Sequence, residues 1–120
     1  MMSVLIVDDH PSFRASARRL LEAEGFDVIG EAADGHAAIA AAQQLQPNLV
    51  LLDVQLPDLN GFEVATRLAA LGLPSAVILT SSRDAAEYGT LVTDATVRGF
   101  VPKAELSAAA LTDLLAPESR

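Results

Sequence analysis

The chain contains no cysteine. Disulfides and cysteine-ligated zinc are therefore excluded, and the redox compartment is left open, with the cytosol favoured. Basic residues are scarce: 8 Lys and Arg stand against 16 Asp and Glu, a formal net charge of −8. A surface of that sign repels phosphate backbones, so direct nucleic-acid binding by this chain is not expected. It suits a protein that meets divalent cations or basic partner surfaces. Long apolar runs are missing too. None approaches the ~20 residues that a membrane helix needs. No basic segment leading into an apolar one follows Met1-Met2-Ser3, so no signal peptide is expected and the expected location is the cytoplasm. What is present is 120 residues, 51% hydrophobic and 20% charged, which is enough for one packed domain over 1–120.

The pattern is organised around one uncharged run, Asn48-Leu49-Val50-Leu51-Leu52, which stops at Asp53. A continuous apolar run of this length, followed by turn residues, fits a strand buried on both faces. Asp53 then sits where a central strand ends, although Asp also simply starts turns. The loop Val54 to Gly61 follows it.

Strand and helix signals alternate along the rest of the chain. Ser3 to Val7 reads as a first strand, ending in Asp8-Asp9. Pro11 opens a helix with Phe13, Ala17, Leu20 and Leu21 at helical spacing, stopped by Gly25. Phe26 to Ala32 is a second strand whose mixed polarity places it near an edge. Asp34 caps a helix from His36 to Leu45, closed by Pro47. A third helix runs from Gly61 to Leu71, stopped by Gly72. Ser75 to Leu79 is a fourth strand, ending in Thr80-Ser81-Ser82. Asp84 to Thr93 is the weakest helical pattern. Val97 to Val101 is a fifth strand, followed by Pro102-Lys103, and Leu106 to Ala116 is the last helix, with Leu111, Leu114 and Leu115 inward. Such alternation predicts an α/β fold, a parallel sheet with helices on both faces joined by right-handed crossovers.

In a parallel sheet the carboxyl ends of all strands share one edge, where ligand chemistry collects. Asp8 and Asp9, Asp53, Thr80 and Lys103 all fall there if strands one, three, four and five are neighbours. Two like charges ~4 Å apart repel by roughly 4 kcal/mol at an effective dielectric near 20. A hard divalent cation relieves that repulsion, and Mg²⁺ binds through one or two carboxylates together with a phosphate and water. Lys103 and Thr80 then suit phosphate oxygens. The central carboxylate is the candidate nucleophile, since a carboxylate can take a phosphoryl group as an acyl phosphate.

Val4-Leu5-Ile6-Val7-Asp8-Asp9-His10, Leu51-Leu52-Asp53 through Asn60-Gly61, Leu79-Thr80-Ser81 and Gly99-Phe100-Val101-Pro102-Lys103, in this order and spacing, resemble the receiver domain of two-component response regulators. The resemblance covers nearly the whole chain. It implies a doubly wound, five-stranded, flavodoxin-like (βα)5 fold with strand order 2-1-3-4-5. It implies a phosphorelay switch rather than a turnover enzyme: Asp53 as phosphoacceptor from a sensor histidine kinase, with Thr80 and Lys103 on the phosphoryl oxygens. It implies a Mg²⁺ site made by Asp9 directly, Asp8 mainly through water, Asp53, and the backbone carbonyl of Gln55. It implies a switch in which Phe100 turns inward as Thr80 moves toward the phosphate. The face made by residues 84–93, the fifth strand and the last helix then changes its preference for an output domain, a partner protein or a second copy of the chain. Ala104 follows Lys103 where many family members have proline, a variant similar to receivers that carry a helix-turn-helix output domain and regulate transcription. The segment Thr90 to Val97 departs from the usual glycine-containing link.

Other readings fit less of the pattern. A Mg²⁺-dependent phosphatase with an aspartyl nucleophile commonly has two acids separated by one residue after the first strand, and His10 stands where the second would fall. A flavin carrier needs a hydroxyl- and glycine-rich loop where Asp8-Asp9-His10-Pro11 stands. A receiver-like interaction module that is never phosphorylated has no need of the full pocket. His10 and His36 are read as exposed residues at loop or helix starts, with a place on the pocket rim beside the acidic pair as the alternative for His10, and Gln55 and Ser81-Ser82 as neighbours of the pocket.

Overall fold

The computed structural model describes residues 2–82 and 97–115. Its elements are β1 (Ser3–Val7), α1 (Pro11–Ala23), β2 (Asp27–Ala32), α2 (Gly35–Leu45), β3 (Leu49–Asp53), α3 (Gly61–Ala70), β4 (Ala76–Ser81), β5 (Gly99–Pro102) and α4 (Ala108–Leu115). The five strands are all parallel, in the order β2-β1-β3-β4-β5. This is the expected topology, and β2 lies at an edge as its mixed polarity predicts. The helix expected over 84–93 lies outside the described residues. No described helix is long and apolar enough to cross a membrane.

The period-2 alternation of strand side chains builds two cores, one on each face of the sheet. Leu5, Val7, Val50, Leu52, Val77 and Leu79 pack with residues of α2 and α3 on one face. Val4, Ile6, Leu49, Leu51 and Ile78 pack with Ala17 and Leu21 of α1 and Leu111 of α4 on the other. Every residue of β3 is buried, which is why its sequence carries no polar alternation. Each fully buried leucine or isoleucine contributes roughly 1.5–3 kcal/mol relative to exposure, so the strand ends are fixed on a rigid base.

Local chemistry sets the helix ends. The Asp34 carboxylate accepts from the Ala37 N–H at 2.7 Å and starts α2. Asn60 and Glu63 form a reciprocal capping box on α3. Gly25, just past α1, has φ +94°, a left-handed conformation that glycine adopts without cost. Gln46 ends α2 in the same region with φ 46°, which sequence gives little reason to expect of a glutamine.

The boundaries of β4, β5 and the last helix differ most from expectation. β4 extends through Ser81, because Thr80 and Ser81 still pair with Val101 and Pro102. β5 starts at Gly99 and runs into Pro102, whose missing N–H is harmless on an edge strand. A single 3-10 turn, Lys103–Glu105, then separates β5 from α4, which begins at Ala108 and not Leu106.

Candidate functional site

Register alone lines up the first acids. Val7 pairs with Leu52 across β1 and β3, so Asp8 is level with Asp53, and Asp53 pairs with Thr80 across β3 and β4. The Asp8 N–H still bonds to the Ala32 carbonyl at 3.0 Å, which holds it in line with the sheet. Asp8, Asp53 and Thr80 are all buried, at 0%, 3% and 1% exposure. Lys103 reaches the same point from the turn after β5. Its Nζ lies 2.5 Å from Asp8 Oδ2 and 3.5 Å from Asp53 Oδ2. It also lies 4.6 Å from the centre of the Phe13 ring, whose π face favours a cation there.

The two oxygens of Asp8 have different surroundings. Oδ2 faces Lys103. Oδ1 accepts the His10 N–H at 2.8 Å and lies 3.0 Å from His10 Nδ1, which is also 3.1 Å from Asp9 Oδ1. The Arg14 guanidinium donates to the Asp8 backbone carbonyl at 2.6 Å. The Gln55 N–H donates to Asp53 Oδ1 at 3.2 Å, so the loop after β3 folds back over its own acid. Burial raises the Asp53 carboxyl above the usual carboxylate range. Repulsion from Asp8 adds to this, and the Lys103 charge with the Gln55 amide only partly offsets it.

Asp8, Asp9, His10 and Asp53 each present a ligand atom within 4.8 Å of the others. Asp9, His10 and Asp53 border a cleft of about 240 Å³ that Gln55, Ser82 and Lys103 also line, with Asp8 buried behind it. Among the described residues, two buried side-chain oxygens have no hydrogen-bond partner: Asp8 Oδ2, whose contact with Lys103 is not aligned as a hydrogen bond, and Thr80 Oγ1. Buried polar groups are rarely left so. An oxygen-rich donor set with uncompensated carboxylate charge fits a hard divalent cation, and an orphaned hydroxyl on the strand next to Asp53 fits an anionic oxygen. The residues therefore suit a metal and a phosphoryl group together.

The residues expected at the sheet edge thus meet there: Asp8, Asp9, Asp53 and Lys103 as a charged cluster, with Thr80 beside Asp53 in the strand register. Gln55 sits on the rim. Phe100 is partly buried against the core on the α2–α3 face, opposite Leu79 in the sheet. His10 and His36 are exposed as expected, with side chains 65% and 68% accessible, yet both are engaged.

Sequence reasoning missed a tether behind the site. Asp58 accepts from the N–H groups of Gly35 at 2.7 Å and His36 at 3.0 Å, and lies 2.6 Å from His36 Nδ1. Desolvation opposes its ionisation, but the hydrogen bonds from His36 and Gly35 outweigh it and hold the carboxyl well below its usual range. Asp58 thereby ties the loop carrying Gln55 to the start of α2, where the helix N-terminus favours negative charge. The available signal was an acid in a loop and an Asp-Gly turn 23 residues away, and no periodicity links such a pair.

The family model of the response regulator receiver domain matches residues 4–116. The chain is 42% identical over 102 residues to BvgA of Bordetella pertussis, a positive transcription regulator of virulence factors, covering 85% of this chain and 49% of that protein. It is 33% identical over 104 residues to EvgA of Escherichia coli K12, a DNA-binding transcriptional activator, covering 87% of this chain and 51% of that protein. The chain spans about half the length of the curated relatives it matches. Among solved structures, the receiver domain of the response regulator NarL from Mycobacterium tuberculosis matches with TM-score 0.82 and 33% identity, over 97% of this chain and 98% of that one. A LuxR-family two-component response regulator from an Aurantimonas species matches with TM-score 0.84 and 27% identity, over 95% and 85%.

Proposed function

Because this chain belongs to the response regulator receiver domain family, we propose that Asp53 is its phosphoacceptor and that 1–120 works as a single receiver unit. The observation that supports this most is the set of three carboxylates and one lysine held at one sheet edge, with Thr80 Oγ1 buried and unpartnered beside them. An Asp53 carboxylate oxygen attacks the phosphorus of a phosphohistidine on a sensor kinase. The P–N bond breaks, the imidazole leaves and takes a proton from solvent, and an acyl phosphate remains on Asp53.

The site's own residues prepare that transfer. Gln55 N–H fixes one Asp53 oxygen, and Lys103 faces the other. Lys103 and Thr80 receive the phosphoryl oxygens. Asp8, Asp9, Asp53 and the Gln55 backbone carbonyl would hold Mg²⁺, which when bound neutralises charge on the transferring group. When Thr80 swings to the phosphoryl group, the space it leaves lets Phe100 of the neighbouring strand turn inward. The face that includes β5 and α4 then changes its partner: an output domain, another protein or a second copy of this chain. Transcription regulation through an output domain is the output that the relatives' own activity supports, and an acidic receiver in the cytoplasm would leave DNA contact to that domain. The chain is a switch that assists its own phosphorylation and not a turnover enzyme.

The test is incubation with Mg²⁺ and a small acyl phosphate, followed by intact mass measurement. The wild type should gain one phosphoryl group and Asp53→Asn none. No gain by the wild type, or an equal gain by both, refutes the assignment.

A further inference from the structure

His10 was read from sequence as an exposed residue at the start of α1, and it is exposed. Its ring is nevertheless turned toward the acidic pair. Nδ1 lies 3.0 Å from Asp8 Oδ1 and 3.1 Å from Asp9 Oδ1. In an octahedron with bonds of ~2.1 Å, neighbouring donor atoms are about 3.0 Å apart. Both of these Nδ1–oxygen distances match adjacent ligands on one ion, and the ligand atoms of Asp8, Asp9 and His10 lie within 4.8 Å of one another.

The charge distribution selects the same side of Asp8. Its Oδ2 is taken up by Lys103, which repels a second cation. Its Oδ1 faces His10 and Asp9, away from that charge. Asp8 is fully buried and its Oδ2 still lacks an aligned hydrogen bond, so the carboxylate is not satisfied by the protein alone. The imidazole has no competing structural task. His10 is the N-cap residue of α1, but its side chain makes no capping bond.

Building on the reading that this pocket holds a divalent cation, we propose that His10 supplies a nitrogen ligand through Nδ1. The site then discriminates in favour of transition ions that accept imidazole, such as Co²⁺, over Mg²⁺. Imidazole suits zinc, cobalt, nickel and copper, whereas magnesium is held by carboxylate, carbonyl and water oxygens. Nδ1 is the atom that changes partner, from the two carboxylate oxygens to the ion they share. The acidic residues alone would bind either class of ion with little preference of this kind.

The test is calorimetric titration of the chain with Mg²⁺ and with Co²⁺, for wild type, His10→Phe, His10→Gln and, as a control, His36→Gln. The ratio of Co²⁺ to Mg²⁺ affinity should fall roughly tenfold or more in both His10 variants, the scale on which ligand-shell changes act. It should stay within about twofold in His36→Gln, on the same ligand-shell scale. The Co²⁺-loaded wild type should also show a strongly shifted, exchangeable imidazole N–H proton resonance that His10→Phe lacks. An unchanged ratio without that resonance overturns the His10 assignment and leaves ion binding by the carboxylates intact. Failure of the wild type to bind either ion overturns both this inference and the reading on which it rests.

Discussion

Replacing Asp53 with asparagine should stabilise the free protein at neutral pH while abolishing phosphorylation. The Asp53 side chain is 4% exposed, so its charge has lost most of its hydration. Ligand atoms of Asp8 and Asp53 lie within 4.8 Å, and repulsion at that distance is roughly 3–4 kcal/mol at an effective dielectric of 20. Attraction to Lys103 Nζ at 3.5 Å returns roughly 5 kcal/mol on the same basis. The pair energies nearly offset, and a desolvation penalty of several kcal/mol per buried ion decides the sign. Asparagine, which has a similar shape and no charge, should therefore stabilise by about 2 kcal/mol, or raise Tm by about 8 °C in a chain of this size. The pH dependence follows from the raised Asp53 carboxyl, whose ordinary value is 3.8. The folded protein binds this proton more readily than the unfolded chain, so ionisation subtracts stability at neutral pH. The loss is recovered as pH falls through the raised folded value and is gone below the unfolded one. The gap between variant and wild type should close over that window. Urea unfolding of both proteins from pH 7 down to pH 4, in buffer free of divalent ions, measures it. A variant less stable than wild type at pH 7, or a gap that widens on acidification, refutes the reasoning.

Two further perturbations separate the site from its scaffold. A methyl at Gly61 would lie 2.7 Å from the Asp53 carbonyl and 3.0 Å from Val54 Cα, both backbone atoms that cannot rotate away. Gly61→Ala should cost about 2–3 kcal/mol by denaturant melts and also slow phosphoryl uptake, because the displaced atom belongs to Asp53 itself. Gly25→Ala is the control: its Cβ meets nothing, so only the left-handed φ is strained, and about 1 kcal/mol of lost stability should leave uptake unchanged. Asp58→Ala should release the loop that carries Gln55. Amide hydrogen exchange at Gly35 and His36 should speed up and affinity for divalent cation should fall, whereas unchanged exchange would show that the tether is not holding. Since the Asp58 carboxyl is depressed below 3.8, its stabilisation is present above that pH and is lost as pH falls below it.

The sheet was legible because its strands are uniform. Val4 to Val7, Leu49 to Leu52 and Val77 to Leu79 are apolar throughout, and only strands covered on both faces need that. The site was legible for the same reason: Asp8, Asp53 and Thr80 are the first polar residues after such runs, and parallel register puts them in a row. The contacts that finish the site were not legible. His10 is one helix start among several, and nothing in its spacing says that its ring turns back to Asp8. The Asp58 link joins a loop to the first turn of α2 through backbone amides, which carry no residue signature. The 3-10 turn that aims Lys103 at Asp8 replaced what reads as the simple end of a strand. In each case the missing information is the path of a loop across the sheet edge, and that path is set by packing on both of its ends.

Asp8 is the residue through which these loops act on one another. It is buried with Lys103 on one oxygen and His10 on the other, so neither partner can change without altering the charge balance at the other. In the free protein the lysine is closer to Asp8 than to Asp53, at 2.5 Å against 3.5 Å. On the function proposed above, a cation on the His10 side of Asp8 would supply the counter-charge that Lys103 supplies, and the lysine would be released toward Asp53 to meet the oxygens of a phosphoryl group. Linkage makes this reciprocal: a group on Asp53 that draws Lys103 away leaves Asp8 under-compensated and strengthens its hold on the cation. Cation and phosphoryl group would thus favour each other through a side chain that touches Asp8 and Asp53 in turn. The cost of holding buried like charges together is what would make that coupling strong.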